Sequence, residues 1–251
     1  MVHDEDVLQL LRAAANAVRD AIIGEQRRGL SGGRPSQYHA DLVADEAAVS
    51  VLVAGGLTVL SEESGVSGDG EVTCVLDPID GSTNFDRGIP FYATSACALD
   101  DDGLRCSVVV NHATDTWYEA LRGRGATRDG EPIRPSSVTA MREAIISFSG
   151  LPSTRGPWAQ FRALGSASLE LCAVADGSLD GFAVAAASRL SPWDYLGGLQ
   201  VVEEAGGTVI ELDGKPLVSA DRAGRRVLAA CNAPLRDELR GFIERGGTGA
   251  P

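Results

Sequence analysis

Asp77 and Asp80 stand three residues apart at the end of a short apolar run, Val72 to Leu76, and Gly81-Ser82-Thr83 follows at once. The run is β-branched and bounded by glycine and proline, which predicts a buried strand. Pro78 fixes its own φ and biases Asp77 toward an extended conformation, so the strand is expected to end there in a rigid bend. A small-residue turn with hydroxyls is the composition of a helix start or of a nest of backbone N–H groups. Carboxylates beside such donors suit a cation that itself holds an anion. Magnesium carrying a phosphate is the natural occupant.

Three further acidic positions fall just past a predicted strand or at a predicted helix start: Glu62-Glu63, Asp194 and Asp45. A carboxylate shared by two divalent ions, here Asp77, would hold them about 4 Å apart for an in-line displacement. Each position also has a plainer explanation. Asp45 and Asp194 could simply favour a helix dipole, and Glu62-Glu63 could be a solvated turn. The Asp77/Asp80 pair resists that treatment, because two carboxylates ending a buried strand repel each other unless something neutralises them.

The elements that would carry these residues follow from periodicity. Val7, Leu8, Leu10, Leu11, Ala14, Ala15, Val18, Ile22 and Ile23 recur at helical spacing, giving a first helix that ends near Gly24. Arg27 to Tyr38, rich in glycine and serine, is expected to be a mobile loop, and Asp41 to Val53 a second helix. Strands are predicted over 57–60, 92–99, 104–110, 116–121, 144–149, 181–187, 208–212 and 227–231. Helices are predicted over 166–175, 193–205 and 234–244. Hairpins early and mixed helix and strand later indicate α+β layers, without a repeated βαβ winding. The chain is expected to be one compact catalytic domain, residues 1–251, with halves 1–140 and 141–251 meeting at the Pro/Ser stretch 132–139.

Composition narrows the partners. The 251 residues carry a formal net charge of −13 and no basic block, which argues against nucleic acid and anionic membranes. No stretch is apolar for long enough to cross a bilayer and the N-terminus is polar, so a cytoplasmic protein is expected. Five scattered cysteines without C-x-x-C read as buried thiols. G-x-x-x-x-G-K-S/T and D-x-D-x-T/V are absent, so Walker-type nucleotide binding and an aspartyl-phosphate route lack their motifs. G-x-S-x-G occurs once, at Gly29 to Gly33, but inside a predicted loop, and with only His3, His39 and His112 in the chain a serine-hydrolase triad is poorly supported.

Asp77-Pro78-Ile79-Asp80-Gly81-Ser82-Thr83-Asn84-Phe85 resembles the D-P-I/L-D-G-S/T-x-N/E-F signature of the inositol monophosphatase family of magnesium-dependent, lithium-sensitive phosphatases. Trp193-Asp194-Tyr195-Leu196-Gly197-Gly198, running on to Glu204-Ala205-Gly206-Gly207, resembles the family's second signature, and Ser61-Glu62-Glu63-Ser64 its E-E-S element. The resemblance implies an α+β fold, a layered αβαβα sandwich of the inositol monophosphatase / fructose-1,6-bisphosphatase type, in a homodimer. It further implies that Glu62, Asp77 and the Ile79 carbonyl hold a first Mg²⁺, and that Asp77, Asp80 and Asp194 hold a second. A third ion near Glu62 is common in relatives. Mn²⁺ could substitute, and Li⁺ and Ca²⁺ are the expected inhibitors.

By the same resemblance, the amides of Gly81, Ser82 and Thr83 cradle phosphate, and the Ser82 hydroxyl, polarised by Asp45, orients the attacking water. Gly165-Ser166-Ala167 matches the turn lining the leaving-group pocket, so Ser166 and Ala167, with Asp80, are expected to contact the substrate. The acidic residue that contacts inositol hydroxyls in relatives falls here on Val184 or Ala187, and Arg189 nearby could meet a second anion. The implied reaction is hydrolysis of a small phosphorylated metabolite. Inositol monophosphate is the default substrate, with histidinol phosphate, sugar bisphosphates and 3′-phosphoadenosine 5′-phosphate as alternatives. A non-catalytic binding protein that keeps the metal site is the rival from another class.

Overall fold

The computed structural model describes residues 3–25, 27–152 and 154–247. Two helices open the chain, α1 (Asp4–Gly24) and α2 (His39–Ala54). An eight-stranded sheet follows from β1 (Thr58–Ser61), β2 (Gly65–Ser67), β3 (Thr73–Asp80), β4 (Ala93–Asp100), β5 (Gly103–Asn111), β6 (Thr116–Leu121), β7 (Gly125–Arg128) and β8 (Glu131–Pro132). A short helix, α3 (Ser82–Arg87), leaves the end of β3. A five-stranded sheet contains β9 (Ile145–Ser149), β10 (Gln160–Arg162), β11 (Gly181–Val184), β12 (Thr208–Glu211) and β13 (Val227–Ala230). Between its strands run α4 (Ala167–Ala175) and α5 (Pro192–Ala205), and α6 (Ala233–Phe242) closes the fold. Strand orders are β2-β1-β3-β4-β5-β6-β7-β8 and β10-β9-β11-β13-β12.

Side-chain alternation sorts these elements into five layers. Cys74, Leu76, Ala96, Ala98, Val108 and Val110 turn one face of the large sheet toward the apolar stripes of α1 and α2. Val75, Cys97 and Val109 turn the other face toward Leu171, Leu196 and Leu199 of α4 and α5, which also cover Phe182, Val184 and Val227 of the small sheet. Leu235 and Leu239 of α6 pack on the outer face of that sheet, against Ile146, Phe148 and Leu228. The result is the αβαβα sandwich. No helix among the described residues is long and apolar enough to cross a membrane.

Several local expectations are corrected. The central strand does not stop at Asp77 but runs through Pro78 to Asp80. It survives the proline because of a bulge: Asp77 pairs with Ser95 and Asp80 with Ala93, so Pro78 and Ile79 together face Thr94, whose hydroxyl bonds the Pro78 carbonyl at 2.8 Å. Residues three apart on a regular strand point to opposite faces. The extra residue restores Asp80 to the face of Asp77, and Ile79 turns into the α1–α2 core instead. The strand begun at Gly181 ends at Val184, short of Ala187, and the three-residue β10 lacks any alternation by which to predict it. The 27–38 loop is irregular but tied down, with a Leu30–Tyr38 bridge and Asp86 accepting from the Gly29 amide at 2.6 Å.

Candidate active site

Three strand and helix ends deliver carboxylates to one point. Glu62 follows β1, Asp77 sits at the β3 bulge and Asp194 occupies the first turn of α5. One oxygen from each lies within 4.8 Å of the others. Asp77 is fully enclosed at 2% exposure, and its Oδ1 has no hydrogen-bond partner. Burial drives the Asp77 carboxyl well above the usual carboxylate range, and Glu62, Asp80 and Asp194 push it further. Asp194 is raised by burial and then by Asp80 and Glu62. Glu62 is pushed up to about 7 by burial, with Glu63, Asp41 and Asp80 adding to it.

Buried like charges with an orphaned oxygen are costly in a fold that gives them no counter-charge. A hard divalent cation requires several oxygens in one place, and this cluster provides them. The donor set therefore fits Mg²⁺ or a similar ion.

The approach of α5 depends on two adjacent glycines. A Cβ on Gly197 would lie 2.6 Å from Ser95 Oγ on β4, and one on Gly198 only 2.8 Å from Ser168 O on α4. A side chain at Gly198 would meet the backbone of α4, so the two helices could not keep this separation. One Asp194 oxygen also caps its own helix, accepting from the Ser191 amide at 2.6 Å. At the far end of α5, Glu204 accepts from the Gly123 and Gly125 amides at 2.7 and 2.9 Å, which anchors the helix to the β6–β7 turn.

Asp80 lies beside this trio rather than inside it. Its Oδ2 accepts from Ser166 Oγ at 2.8 Å, from the Ser168 amide at 2.7 Å and from Ser168 Oγ. Asp80, Ser166, Ala167 and Asp194 share a cleft of about 290 Å³ with Phe148, Ser149, Gly150, Gly165 and Glu170. Gly81, at φ +92°, takes the chain from β3 into α3. A Cβ there would meet the Gly165 and Phe91 carbonyls at about 3 Å. Ser82 and Thr83 then open α3, and the Thr83 hydroxyl is 3.1 Å from Tyr38 OH.

These contacts and the complete ligand-type motifs set the chain beside known proteins. The sequence model of the inositol monophosphatase family matches residues 7–240. This chain belongs to the inositol monophosphatase family. With the family comes its reaction class, phosphoric monoester hydrolysis. A fructose-1,6-bisphosphatase/inositol-1-monophosphatase of Archaeoglobus fulgidus is 37% identical over 96% of this chain and 99% of its own. The crystal structure of the extragenic suppressor protein SuhB from Bartonella henselae superposes with a TM-score of 0.82 at 27% identity, covering 96% of this chain and 99% of that one. SaIMPase-II bound to inositol monophosphate superposes with a TM-score of 0.77 at 25% identity, over 96% and 93%.

Within this family member, two assignments from sequence change partners. Asp45 does not reach Ser82: its Oδ1 accepts from Ser61 Oγ, at the base of the turn that carries Glu62. The carboxyl beside the Ser82 hydroxyl belongs to Asp41, one helical turn earlier. Asp41 Oδ2 accepts from the Tyr38 amide at 2.8 Å, while Oδ1 is buried without a hydrogen-bond partner. Burial raises the Asp41 carboxyl to about 7, against the Tyr38 amide and the Ser82 hydroxyl.

Arg189 also departs from expectation. It bonds the Ala186 and Ser188 carbonyls and lies 3.4 Å from Asp213, outside the residues lining the cleft. Ser166, expected beside the leaving group, turns its hydroxyl onto Asp80.

Four residues at the site had no sequence argument of their own: Arg34, Asp41, Ser168 and Glu170. Arg34 and Gln37 both bond Glu63, and Arg34 also bonds the Glu62 carbonyl at 3.2 Å, fastening the 27–38 loop over the turn. Glu170 is buried, raised to about 7 chiefly by that burial, and accepts from the Leu164 amide at 3.0 Å. A second acid one turn from Asp45, and a second serine two residues past Ser166, were the only available signals.

Proposed function

We propose that the protein hydrolyses a small-molecule phosphate monoester using Mg²⁺ held by Glu62, Asp77, Asp80, Asp194 and the Ile79 carbonyl. The observation that carries this reading is the unpartnered Asp77 Oδ1, buried beside Glu62 and Asp194. Bound there, divalent cations polarise the phosphoryl group and neutralise charge on the attacking and leaving oxygens. The chain supplies the rest. The first amides of α3, at Ser82 and Thr83, have no partner inside the helix and offer hydrogen bonds to phosphate oxygens. Asp41 lies near Ser82 with its Oδ1 unpartnered, and in this reading it is the group that turns the Ser82 hydroxyl toward a water aimed at phosphorus. Asp80 and the Gly165–Ala167 turn border the space left for the alcohol.

The lining of that space supports a choice of substrate class. Asp80, Asp194 and Glu170 face it, and among the described lining residues there is no lysine or arginine. A second phosphate would find no counter-charge, whereas a polyhydric alcohol finds acceptors. An inositol-1-phosphate-like ester is therefore favoured over a sugar bisphosphate. The Archaeoglobus relative, whose name includes fructose-1,6-bisphosphatase, motivates the comparison.

Phosphate release should be measured with inositol 1-phosphate, histidinol phosphate, fructose 1,6-bisphosphate and 3′-phosphoadenosine 5′-phosphate, each with Mg²⁺ and with chelator. Metal-dependent turnover of inositol 1-phosphate at a kcat/KM above that of the bisphosphates is expected. A preference for a bisphosphate would overturn the substrate reading, and turnover unaffected by chelator would overturn the metal reading.

A further inference from the structure

Asp80 and α4 meet in an arrangement that the family signature does not specify. Ser166 occupies the N-cap position of α4, yet its hydroxyl does not cap that helix. It donates instead to Asp80 Oδ2, as do the Ser168 amide and the Ser168 hydroxyl. Asp80, arriving from the large sheet, thus caps α4 in place of a residue from its own chain segment. Both serines have zero exposure, so neither hydroxyl has water as an alternative partner. A hydroxyl in a helix's first turn ordinarily serves its own backbone. Here two of them serve a carboxylate more than eighty residues away.

Three donors on one oxygen leave it little capacity for anything else. We propose that Ser168, together with Ser166, is a positioning residue that fixes Asp80 by its Oδ2 and so presents Oδ1 alone toward the metal site. The inference rests on the metal-dependent reading above. A carboxylate locked in this way loses little rotational freedom when it takes up a cation, and outer-shell partners of this kind commonly contribute ten- to a hundredfold to metal affinity. The clamp also spans two layers. It ties the β3 bulge to α4, and α4 is in turn packed against the glycine face of α5 that carries Asp194.

The test measures binding, not turnover. Metal-free wild type, Ser168→Ala and Ser166→Ala are titrated with Mn²⁺ and free ion is followed by its electron paramagnetic resonance signal. Melting temperatures are recorded with and without Mn²⁺. The expected result for Ser168→Ala is about a tenfold or greater loss of affinity at one site, and a smaller metal-induced rise in melting temperature than wild type shows. A merely structural serine would lower both melting temperatures equally and leave the affinity alone, and that result overturns the proposal. Should Ser168→Ala fail to fold, Ser166→Ala carries the same test, and an unchanged affinity there counts against the clamp. Wild type that takes up no Mn²⁺ removes the metal-dependent reading and the clamp with it. Wild type that binds, with variants that bind equally well, removes the clamp alone.

Discussion

At the scale of single residues, the site is a set of carboxylates whose oxygens are divided between the fold and what it binds. Asp194 gives one oxygen to the Ser191 amide, Asp80 gives one to α4 and Asp41 gives one to the Tyr38 amide. Asp77 Oδ1 and Asp41 Oδ1 are left over. A buried acceptor with no donor destabilises the chain that carries it, by about 1–3 kcal/mol when neutral and more when charged. Asp77→Asn should therefore act in opposite directions on two measurements. Turnover should fall at least about a thousandfold, because several kcal/mol of transition-state charge stabilisation are lost with the metal's shared ligand. Chelated protein should become more stable at neutral pH by about 1 kcal/mol or more, because asparagine does not have to take up a proton to be buried there. Urea unfolding in chelator, beside a phosphate-release assay, checks both. Near-normal turnover would remove Asp77 from the metal site.

At the scale of elements, what matters is how closely helices and strands approach. The Asp77–Asp80 bulge turns both side chains to the α4–α5 face, and the Gly197–Gly198 pair lets α5 settle against β4 and α4 together. A methyl at Gly198 would sit 2.6 Å from the Leu171 Cβ. Overpacking of this kind costs about 1–3 kcal/mol, and here the strain acts along the line joining Asp194 to the Asp80 clamp. Gly198→Ala should lower stability by that amount and weaken Mn²⁺ binding as well. Glu204→Ala, at the opposite end of the same helix, should cost about as much stability through its two lost amide bonds and leave Mn²⁺ affinity within about twofold. Equal effects of both substitutions on affinity would show that α5 tightness, rather than its seat at the site, governs binding.

At the scale of the whole molecule, the two sheets and the helices between them enclose more acidic groups than they neutralise. Glu170, Glu62 and Asp41 are each raised to about 7 by burial first. For a carboxyl whose folded value lies above its unfolded one, the folded state holds the proton more tightly. The resulting stability is full below the unfolded value and is lost as pH rises through the folded value. Metal-free protein should accordingly lose stability between about pH 4.5 and pH 7, the window set by Glu170 and Glu62. Glu170 is the cleanest probe, since a glutamine there can still accept from the Leu164 amide. Glu170→Gln should remove about 2 kcal/mol of that pH dependence, read from urea midpoints at pH 5 and pH 8 in chelator. An unchanged slope would place the charge burden elsewhere. Saturating divalent ion should oppose the loss at the higher pH, adding about 2.7 kcal/mol at a hundredfold excess over its Kd.

Much of this was written in the order of the residues. Apolar spacing located five of the six α-helices among the described residues, and β6 to the residue, because burial of one face imposes a period that local composition reveals. The acidic positions stood out for the same kind of reason: Glu62 follows β1, Asp77 and Asp80 lie near the end of β3, Asp194 opens α5, and a strand end followed by Gly-Ser-Thr is a local feature. Which carboxyl faces Ser82 was not local. Asp41 and Asp45 lie one turn apart on one helix face, and the choice between them depends on where β1 brings Ser61 and where β3 brings Ser82. The direction of Arg189 was likewise decided by Asp213, a residue from a later strand's turn. Spacing fixes what a residue can reach along its own helix or strand, while the partner it meets is set by packing between segments far apart in the chain.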